Sequence, residues 1–210
     1  MSTTTAIPVD MGRGLALRMS DEGEGRWKLA FNKPAPELDS VEVQAIGRNG
    51  QCHPMKLFPG PDASSIYASG PTEKAYRARI VVSHGDHTHK RDLRIPGTQD
   101  YAVTTGSHGG TLISMGHDSF VEVLPVGGDR LKITFLLGDV LTGAPRTADV
   151  KADVIGDPAE SDQVRDLAVR PGDDAHSLFL EGKVAGASHL RLAVMMGDHY
   201  HTRCVPITRP

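Results

Sequence analysis

Apolar and polar residues alternate along most of the chain. In RWKLAF (26–31) and RLKITF (130–135), every second residue is large and apolar. A period of two places alternate side chains on one face of a strand, so both segments are predicted to be strands with one buried face. Pro-Gly, Gly-Asp and Gly-Gly turns recur at short intervals, and no long segment has apolar residues at helical spacing. The pattern therefore predicts an all-β protein.

The two halves of the chain resemble each other. The segment PGPDASSIYASG (59–70) aligns without a gap with PGDDAHSLFLEG (171–182), and 15 of 41 positions are identical between residues 55–95 and 167–207. Similarity at a fixed offset indicates a duplicated structural unit. We therefore predict two tandem immunoglobulin-like antiparallel β-sandwich repeats, with a single continuous sandwich as the alternative.

The repeats also predict the domain boundaries. The first repeat is expected to comprise residues 10–97 and the second residues 107–210. Residues 98–106 are mostly polar and show no period, so they are predicted to be a linker.

Each repeat carries a histidine-rich hairpin near its end. In HGDHTH (84–89), only Gly-Asp separates two strand-like segments, which predicts a tight primed turn. Opposite and alternate residues of such a hairpin point to one face, so His84, His87 and His89 are expected to converge. In MGDHYH (196–201), the same geometry groups Met196, His199 and His201.

The side chains of these two groups are typical of transition-metal sites. Imidazoles suit zinc, copper(II) or nickel, whereas a thioether favours copper(I). Because imidazole must be neutral to bind a metal, affinity is expected to fall below about pH 6.5. Arg91 and Arg203 follow on the same strand faces, and their charge would oppose a cation unless the strand twist turns it away. The alternative is that the histidines only line the rim of the sandwich, bound to backbone or water.

A further histidine-containing segment lies at the start of the second repeat. Residues 107–139 begin with SHGG and predict another hairpin, with His108 before the Gly pair and His117 beside the turn. HGG, followed by GH near FVEV and then by GAP and ADVKADV, resembles the small immunoglobulin-like modules that occur with bacterial heavy-metal efflux systems. The resemblance covers about residues 107–207. It implies a periplasmic or envelope role in heavy-metal resistance, an efflux or envelope partner, and His108 and His117 as ligands for copper, zinc or a similar ion.

Composition excludes several kinds of partner. A formal charge of −3 gives no basic field for nucleic acid, and no apolar run is long enough to span a membrane. The first residues lack the features of a secretory signal, so we expect a cytoplasmic protein as written, or a periplasmic one if a leader has been removed.

No enzyme motif is complete in the sequence. GxSxG, the P-loop and nucleotide-binding glycine runs are absent, and HGDHTH has Asp86 where metallo-β-lactamase-like hydrolases have a histidine. The sequence therefore predicts a non-catalytic protein that binds copper or zinc in order to buffer, sense or transfer the ion. The competing hypothesis is a structural or protein-interaction module without metal, and a metal-dependent enzyme is the least favoured.

Overall fold

The computed structural model describes residues 6–96, 98, 104–156 and 164–207. Almost all of these residues lie in antiparallel strands or in the turns between them, which confirms the all-β prediction. The helices in this described part are two single 3-10 turns. None of its helices is long and apolar enough to cross a membrane.

The described residues form two compact units. Unit 1 lies within Met1–Arg48 and Cys52–Asp100, and unit 2 within Asn49–Gln51 and Tyr101–Pro210. The predicted boundaries differ from the structure at two points. The first strand begins at Ile7, before the predicted start at residue 10. Residues 104–105 of the predicted linker pair as a short strand in unit 2, and residues 99–103 of that linker lie outside the described residues.

Unit 1 is a sandwich of two antiparallel sheets. The strands are β1 (Ile7–Gly12), β2 (Leu15–Gly23), β3 (Arg26–Phe31), β4 (Val41–Gly47), β5 (Cys52–Pro54), β6 (Lys56–Pro59), β7 (Ser65–Ser69), β8 (Ala75–His84) and β9 (His87–Arg94). One sheet has the order β1-β2-β3-β7-β6 and the other has the order β5-β4-β8-β9. The orders β2-β3-β7-β6 and β4-β8-β9 are the ABED and CFG orders of an immunoglobulin constant-type sandwich, with β1 added at the edge.

Unit 2 repeats this topology. Its strands are β10 (Thr104–Thr105), β11 (Thr111–Gly116), β12 (Ser119–Pro125), β13 (Arg130–Leu137), β14 (Val140–Leu141), β15 (Val150–Gly156), β16 (Val164–Pro171), β17 (Ser177–Glu181), β18 (Ala187–Met196) and β19 (His199–Pro206). The order β12-β13-β17-β16 corresponds to ABED, and β15-β18-β19 corresponds to CFG. Strand β16 pairs first with β15 and then with β17, so one strand replaces both β5 and β6 of unit 1.

The alternating positions form the cores. Trp27 and Leu29 of one sheet pack with Val43 and Ile80 of the other in a single buried cluster. Unit 2 has an equivalent cluster of its own, in which Leu131 and the other alternate residues of β13 are buried. Burial of large apolar side chains between the sheets contributes about 1.5–3 kcal/mol for each residue, so the period of two in the sequence specifies both sandwiches.

The best-conserved segment between the repeats is a tight connection. A Cβ atom at Gly60 would lie 2.6 Å from the backbone oxygen of Ser65, and one at Gly172 would lie 2.3 Å from that of Ser177. No side chain fits at either position without moving the backbone. The shared Pro-Gly therefore reflects a packing constraint of the scaffold.

Candidate functional site

The two predicted histidine hairpins form with the expected register. His84 pairs with His87 and Val82 with His89 in β8–β9, and Met196 pairs with His199 in β18–β19. Gly85 and Gly197 have φ values of 62° and 72°, which fits the first central position of a type II′ turn. The predicted groups therefore do share one strand face. Val82 on that face is fully buried, so this is the inner face, at the end of the sandwich.

The arginines that follow the histidines bind to carbonyls beside a bulge, which lies in β1 of unit 1 and in β11 of unit 2. The register of β11 slips between Ser114 and Gly116, which leaves the Met115 carbonyl outside the regular ladder. The Arg203 guanidinium donates to the Ser114 oxygen at 2.8 Å and to the Met115 oxygen at 3.2 Å. In unit 1, Arg91 donates to the oxygen of Asp10 at 2.6 Å. Arg91 thus holds β9 against β1, and Arg203 holds β19 against β11.

Unit 2 brings three imidazoles together where β19 lies against β11. The His201 ring lies 4.6 Å from the His199 ring and 5.5 Å from the His117 ring, measured between centroids. His117 comes from the turn between β11 and β12, and the other two come from β19. His117 of the 107–139 hairpin and the histidines of the 196–201 hairpin, which the sequence assigns to separate groups, therefore lie in one cluster.

Hydrogen bonds fix which ring nitrogen of two histidines carries a proton. Nδ1 of His201 lies 2.9 Å from the Met115 carbonyl oxygen, and Nδ1 of His199 lies 2.7 Å from Oδ1 of Asp198. The hydrogen bond to His199 also lowers the pKa of Asp198, so the acceptor is a carboxylate. Because carbonyl and carboxylate oxygens only accept, each Nδ1 donates, and in a neutral ring Nε2 presents its lone pair. Metal-binding histidines usually have this arrangement, in which the other ring nitrogen donates to a carbonyl or carboxylate.

The distances between the ring centroids are close to the distance expected for two imidazoles that bind the same ion. Two imidazoles bound through nitrogens about 2.0–2.1 Å from one tetrahedral ion have ring centroids about 5 Å apart. In the part of the chain that the structure describes, no three His, Cys, Asp or Glu side chains already have their donor atoms placed to hold an ion together. His117 and His199 are exposed, so a closing movement would involve only side chains.

Met196 and His108 lie outside this histidine cluster. Met196 faces His199 across the hairpin, but its side chain packs against the core of unit 2. His108 and His117 lie at opposite ends of β11, which separates them by about 17 Å at about 3.4 Å per residue. The two predicted ligands therefore cannot share one ion.

His108 belongs to a loop that encloses a buried carboxylate. Glu122 accepts hydrogen bonds from the backbone N–H groups of His108 and Gly110, each at 2.9 Å, and its second oxygen lies 2.7 Å from Nδ1 of His108. A Cβ atom at Gly106 would lie 2.5 Å from this carboxylate, and one at Gly110 would lie 2.4 Å from a backbone oxygen. The HGG motif is thus explained by the packing of the loop around Glu122.

Two opposing effects act on the ionisation of Glu122. Burial raises its pKa, but the hydrogen bonds from the His108 side chain and from the Gly110 and His108 amides outweigh burial and hold the pKa below its ordinary value. The carboxylate is 2% exposed, so it is an internal anchor for the loop.

The equivalent edge of unit 1 has different chemistry. Nε2 of His87 lies 2.9 Å from Oδ1 of Asp86, so this nitrogen is already occupied by the turn, although His84, His87 and His89 all line one cleft. Burial, followed by the positive charges of Arg91 and Arg13, lowers the pKa of His89. His84, His87 and His89 share a face as predicted, but no ligand cluster forms from them among the residues that the structure describes. The charges that repel a proton from His89 would also repel a metal ion.

Arg13 stands where unit 2 has His117. Each is the first residue of a two-residue turn, between Gly12 and Leu15 in unit 1 and between Gly116 and Ser119 in unit 2. The sequence analysis missed this equivalence. The shared Met-Gly that precedes both residues could have revealed it, together with the constant offset from MGRG to MGHD.

Comparisons with known proteins give no function. No family model matches the chain, and no curated protein matches it. Among solved structures, a two-domain fibronectin type III segment of chicken tenascin shows 12% identity and a TM-score of 0.27, over 96% of this chain and 99% of that one. A chain from the mouse coronavirus receptor-binding domain in complex with its murine receptor shows 9% identity and a TM-score of 0.24, over 89% of this chain and 94% of that one. At these TM-scores, the immunoglobulin-like assignment rests on the strand order of the protein itself.

Proposed function

We propose that unit 2 binds a transition-metal ion, zinc or copper, through His117, His199 and His201, without catalysis. The observation that carries this proposal is the grouping of three imidazoles from two hairpins, two of which donate Nδ1–H to oxygen acceptors. Such a site would buffer, sense or transfer the ion. An efflux or envelope protein that receives the ion is the partner that this role implies.

The donor set favours a borderline divalent cation. Three imidazoles suit zinc or copper(II), and the Met196 thioether would add a preference for copper(I) only if it left the core against which it packs. Three protein ligands leave a further position for water or for a ligand from a partner. An open position is suited to transfer of the ion between proteins.

A metal titration of the full chain tests this proposal. We expect one zinc ion to bind per chain with sub-micromolar affinity, as judged by competition with a chromophoric chelator. The double variant His117→Asn/His199→Ala should lose at least about a hundredfold in affinity, because two ligands are removed. Asparagine at 117 tolerates the left-handed φ of 52° at this turn, so the variant keeps the hairpin.

The equivalent hairpin of unit 1 supplies the matched control. His84→Ala/His87→Ala removes two imidazoles from the other repeat and should leave the affinity unchanged. Stoichiometric binding that survives the unit 2 double variant would refute the assignment, and so would a loss of binding in the unit 1 control.

A protein-interaction role without metal is the second candidate function. Leu137, Val140 and Leu141 are 56%, 66% and 45% exposed around the turn between β13 and β14. Clustered exposed apolar side chains are typical of interaction surfaces. If the wild-type chain binds neither zinc nor copper in the titration, this candidate replaces the metal-binding one.

A further inference from the structure

Unit 1 has a cleft at the edge that corresponds to the histidine cluster of unit 2. The cleft has a volume of about 520 Å³ and is bounded by the β1–β2 turn, the segment after β3 and the β8–β9 hairpin. The half-buried Leu15, Ala35 and Pro36 give it an apolar floor, while the exposed Arg13 and Lys33 lie at its rim. The histidines of the β8–β9 hairpin, His84, His87 and His89, line its other side. The cleft therefore combines an apolar interior with a basic entrance.

Among the residues that the structure describes, no acidic side chain neutralises the positive charge at the rim: neither Arg13 nor Lys33 forms an ion pair there. Glu37 is the one carboxylate among the residues that line this cleft, and it is exposed. Asp86, at the adjacent hairpin turn, is paired with His87. Unpaired cations beside an apolar cavity create a field that attracts anions.

The backbone holds Arg13 in position at the rim. Gly12, Arg13 and Gly14 all have positive φ, at 92°, 53° and 75°, in a tight two-residue turn with a bulge. A left-handed conformation at a residue other than glycine, asparagine or aspartate costs about 1–2 kcal/mol. Glycine would be the simplest residue at this turn position, yet the chain has a long cation there.

We propose that this cleft binds a small organic anion, with its carboxylate or phosphate held by Arg13 and Lys33 and its apolar body on the floor formed by Leu15, Ala35 and Pro36. The volume lies within the range of about 300–1,000 Å³ that small-molecule sites have. An inorganic anion alone would leave most of this space unfilled. The ligand therefore needs an apolar group as well as a charge.

Binding can be measured by titrating the full chain, in the presence of a chelator, with four probes: phenyl phosphate, benzoate, inorganic phosphate and benzyl alcohol. Backbone amide shifts of residues around the cleft report binding. We expect at least one of the two aromatic anions to bind about tenfold more tightly than inorganic phosphate and than the neutral alcohol, because only these anions use both the charge and the apolar floor. Equal binding of benzyl alcohol, or no cleft-localised shifts with either aromatic anion, would overturn the proposal.

Two variants separate loss of charge from loss of structure. Arg13→Gly removes the cation and leaves a residue that adopts a φ of 53° without strain, so its fold should be at least as stable. Combined with Lys33→Gln, this change should weaken binding of the anion by about tenfold or more. Arg18→Ala removes an exposed arginine from β2 outside the cleft and should have no effect. Unchanged affinity in Arg13→Gly/Lys33→Gln, or an equal loss in Arg18→Ala, would contradict the assignment.

Discussion

The region where the last strand meets a bulged strand, β9 with β1 in unit 1 and β19 with β11 in unit 2, has the same backbone arrangement in both units but a different turn residue. Arg91 donates to the Asp10 carbonyl beside the bulge of β1, and Arg203 donates to the Ser114 carbonyl beside the bulge of β11. A histidine ring also packs beside the bulge glycine of each unit. A Cβ atom at Gly12 would lie 3.7 Å from Nδ1 of His89, and one at Gly116 would lie 3.6 Å from Nδ1 of His201. The turn residue is Arg13 in unit 1 and His117 in unit 2. The same backbone framework thus carries an arginine beside its histidine in unit 1 and a further imidazole in unit 2.

This comparison changes the meaning of the repeated GDHxH motif. His201 donates to the Met115 carbonyl, which the bulge leaves outside the ladder, so the histidine has a structural role whether or not a metal is bound. Recurrence of the motif therefore reflects the duplicated scaffold. The chemical difference between the units comes from the β1–β2 and β11–β12 turns, where the two repeats diverge.

Exchanging the turn residues should have the largest effect. His117→Arg replaces a ligand with a cation beside His201, so zinc affinity is expected to fall by about a hundredfold or more. The reciprocal Arg13→His removes a charge beside His89 and should allow a second, weaker equivalent of zinc to bind in unit 1. Both changes are measured by the chelator competition assay. Unchanged affinity in His117→Arg would show that the turn does not contribute to the site.

Removing the buried carboxylate of unit 2 should have the next largest effect. Glu122→Gln keeps the shape of the side chain but weakens its bonds to the His108–Gly110 loop, so the free energy of unfolding is expected to fall by about 1–3 kcal/mol. The matched change Arg18→Gln alters the equivalent, exposed position of β2 and should cost less than about 0.5 kcal/mol. Urea unfolding followed by far-ultraviolet circular dichroism measures both. Equal effects would mean that the loop contacts do not stabilise unit 2.

The same carboxylate predicts how stability depends on pH. Because folding lowers the pKa of Glu122 from its ordinary value of 4.5, its contribution to stability is fully present above that pH. The contribution is lost as the pH falls through the lower pKa of the folded state. The difference in urea midpoint between wild type and Glu122→Gln should therefore shrink below about pH 4.5. A difference that stays constant down to pH 3 would contradict an ionised Glu122.

The smallest effect is expected from the second residue of the two turns. Asp118 has a φ of 56°, whereas the equivalent position in unit 1 is Gly14. Asp118→Gly and Gly14→Asp should each change stability by less than about 0.5 kcal/mol, because aspartate tolerates the left-handed region and its small strain is opposed by the greater freedom of glycine in the unfolded chain. Thermal unfolding of the two variants measures both changes. A loss of more than about 1 kcal/mol in Gly14→Asp would show that the β1–β2 turn, unlike the β11–β12 turn, requires glycine.

The fold could be predicted because its determinants are local in sequence. Alternation in RWKLAF and RLKITF, and the Gly-Asp turn of each histidine hairpin, depend only on neighbouring residues, and both predictions are confirmed. The site depends on contacts between distant residues. His117 lies 84 positions before His201, and their rings meet because β19 lies against β11, where Arg203 donates to the Ser114 and Met115 carbonyls. The hydrogen bond from Arg203 to Ser114 and the packing of the Met196 side chain against the core also join distant residues, so they could not be predicted from local patterns.

The proposed zinc site is tested most directly by a zinc titration of the full chain, followed by long-range proton–nitrogen correlation spectra of the histidine rings. One equivalent of zinc should shift Nε2 of His199 and His201 together with one ring nitrogen of His117, while Nδ1 of His199 and His201 stays protonated. His84, His87 and His89 should not respond to that first equivalent. Shifts that appear first in the unit 1 histidines, or no change in the unit 2 rings, would contradict it.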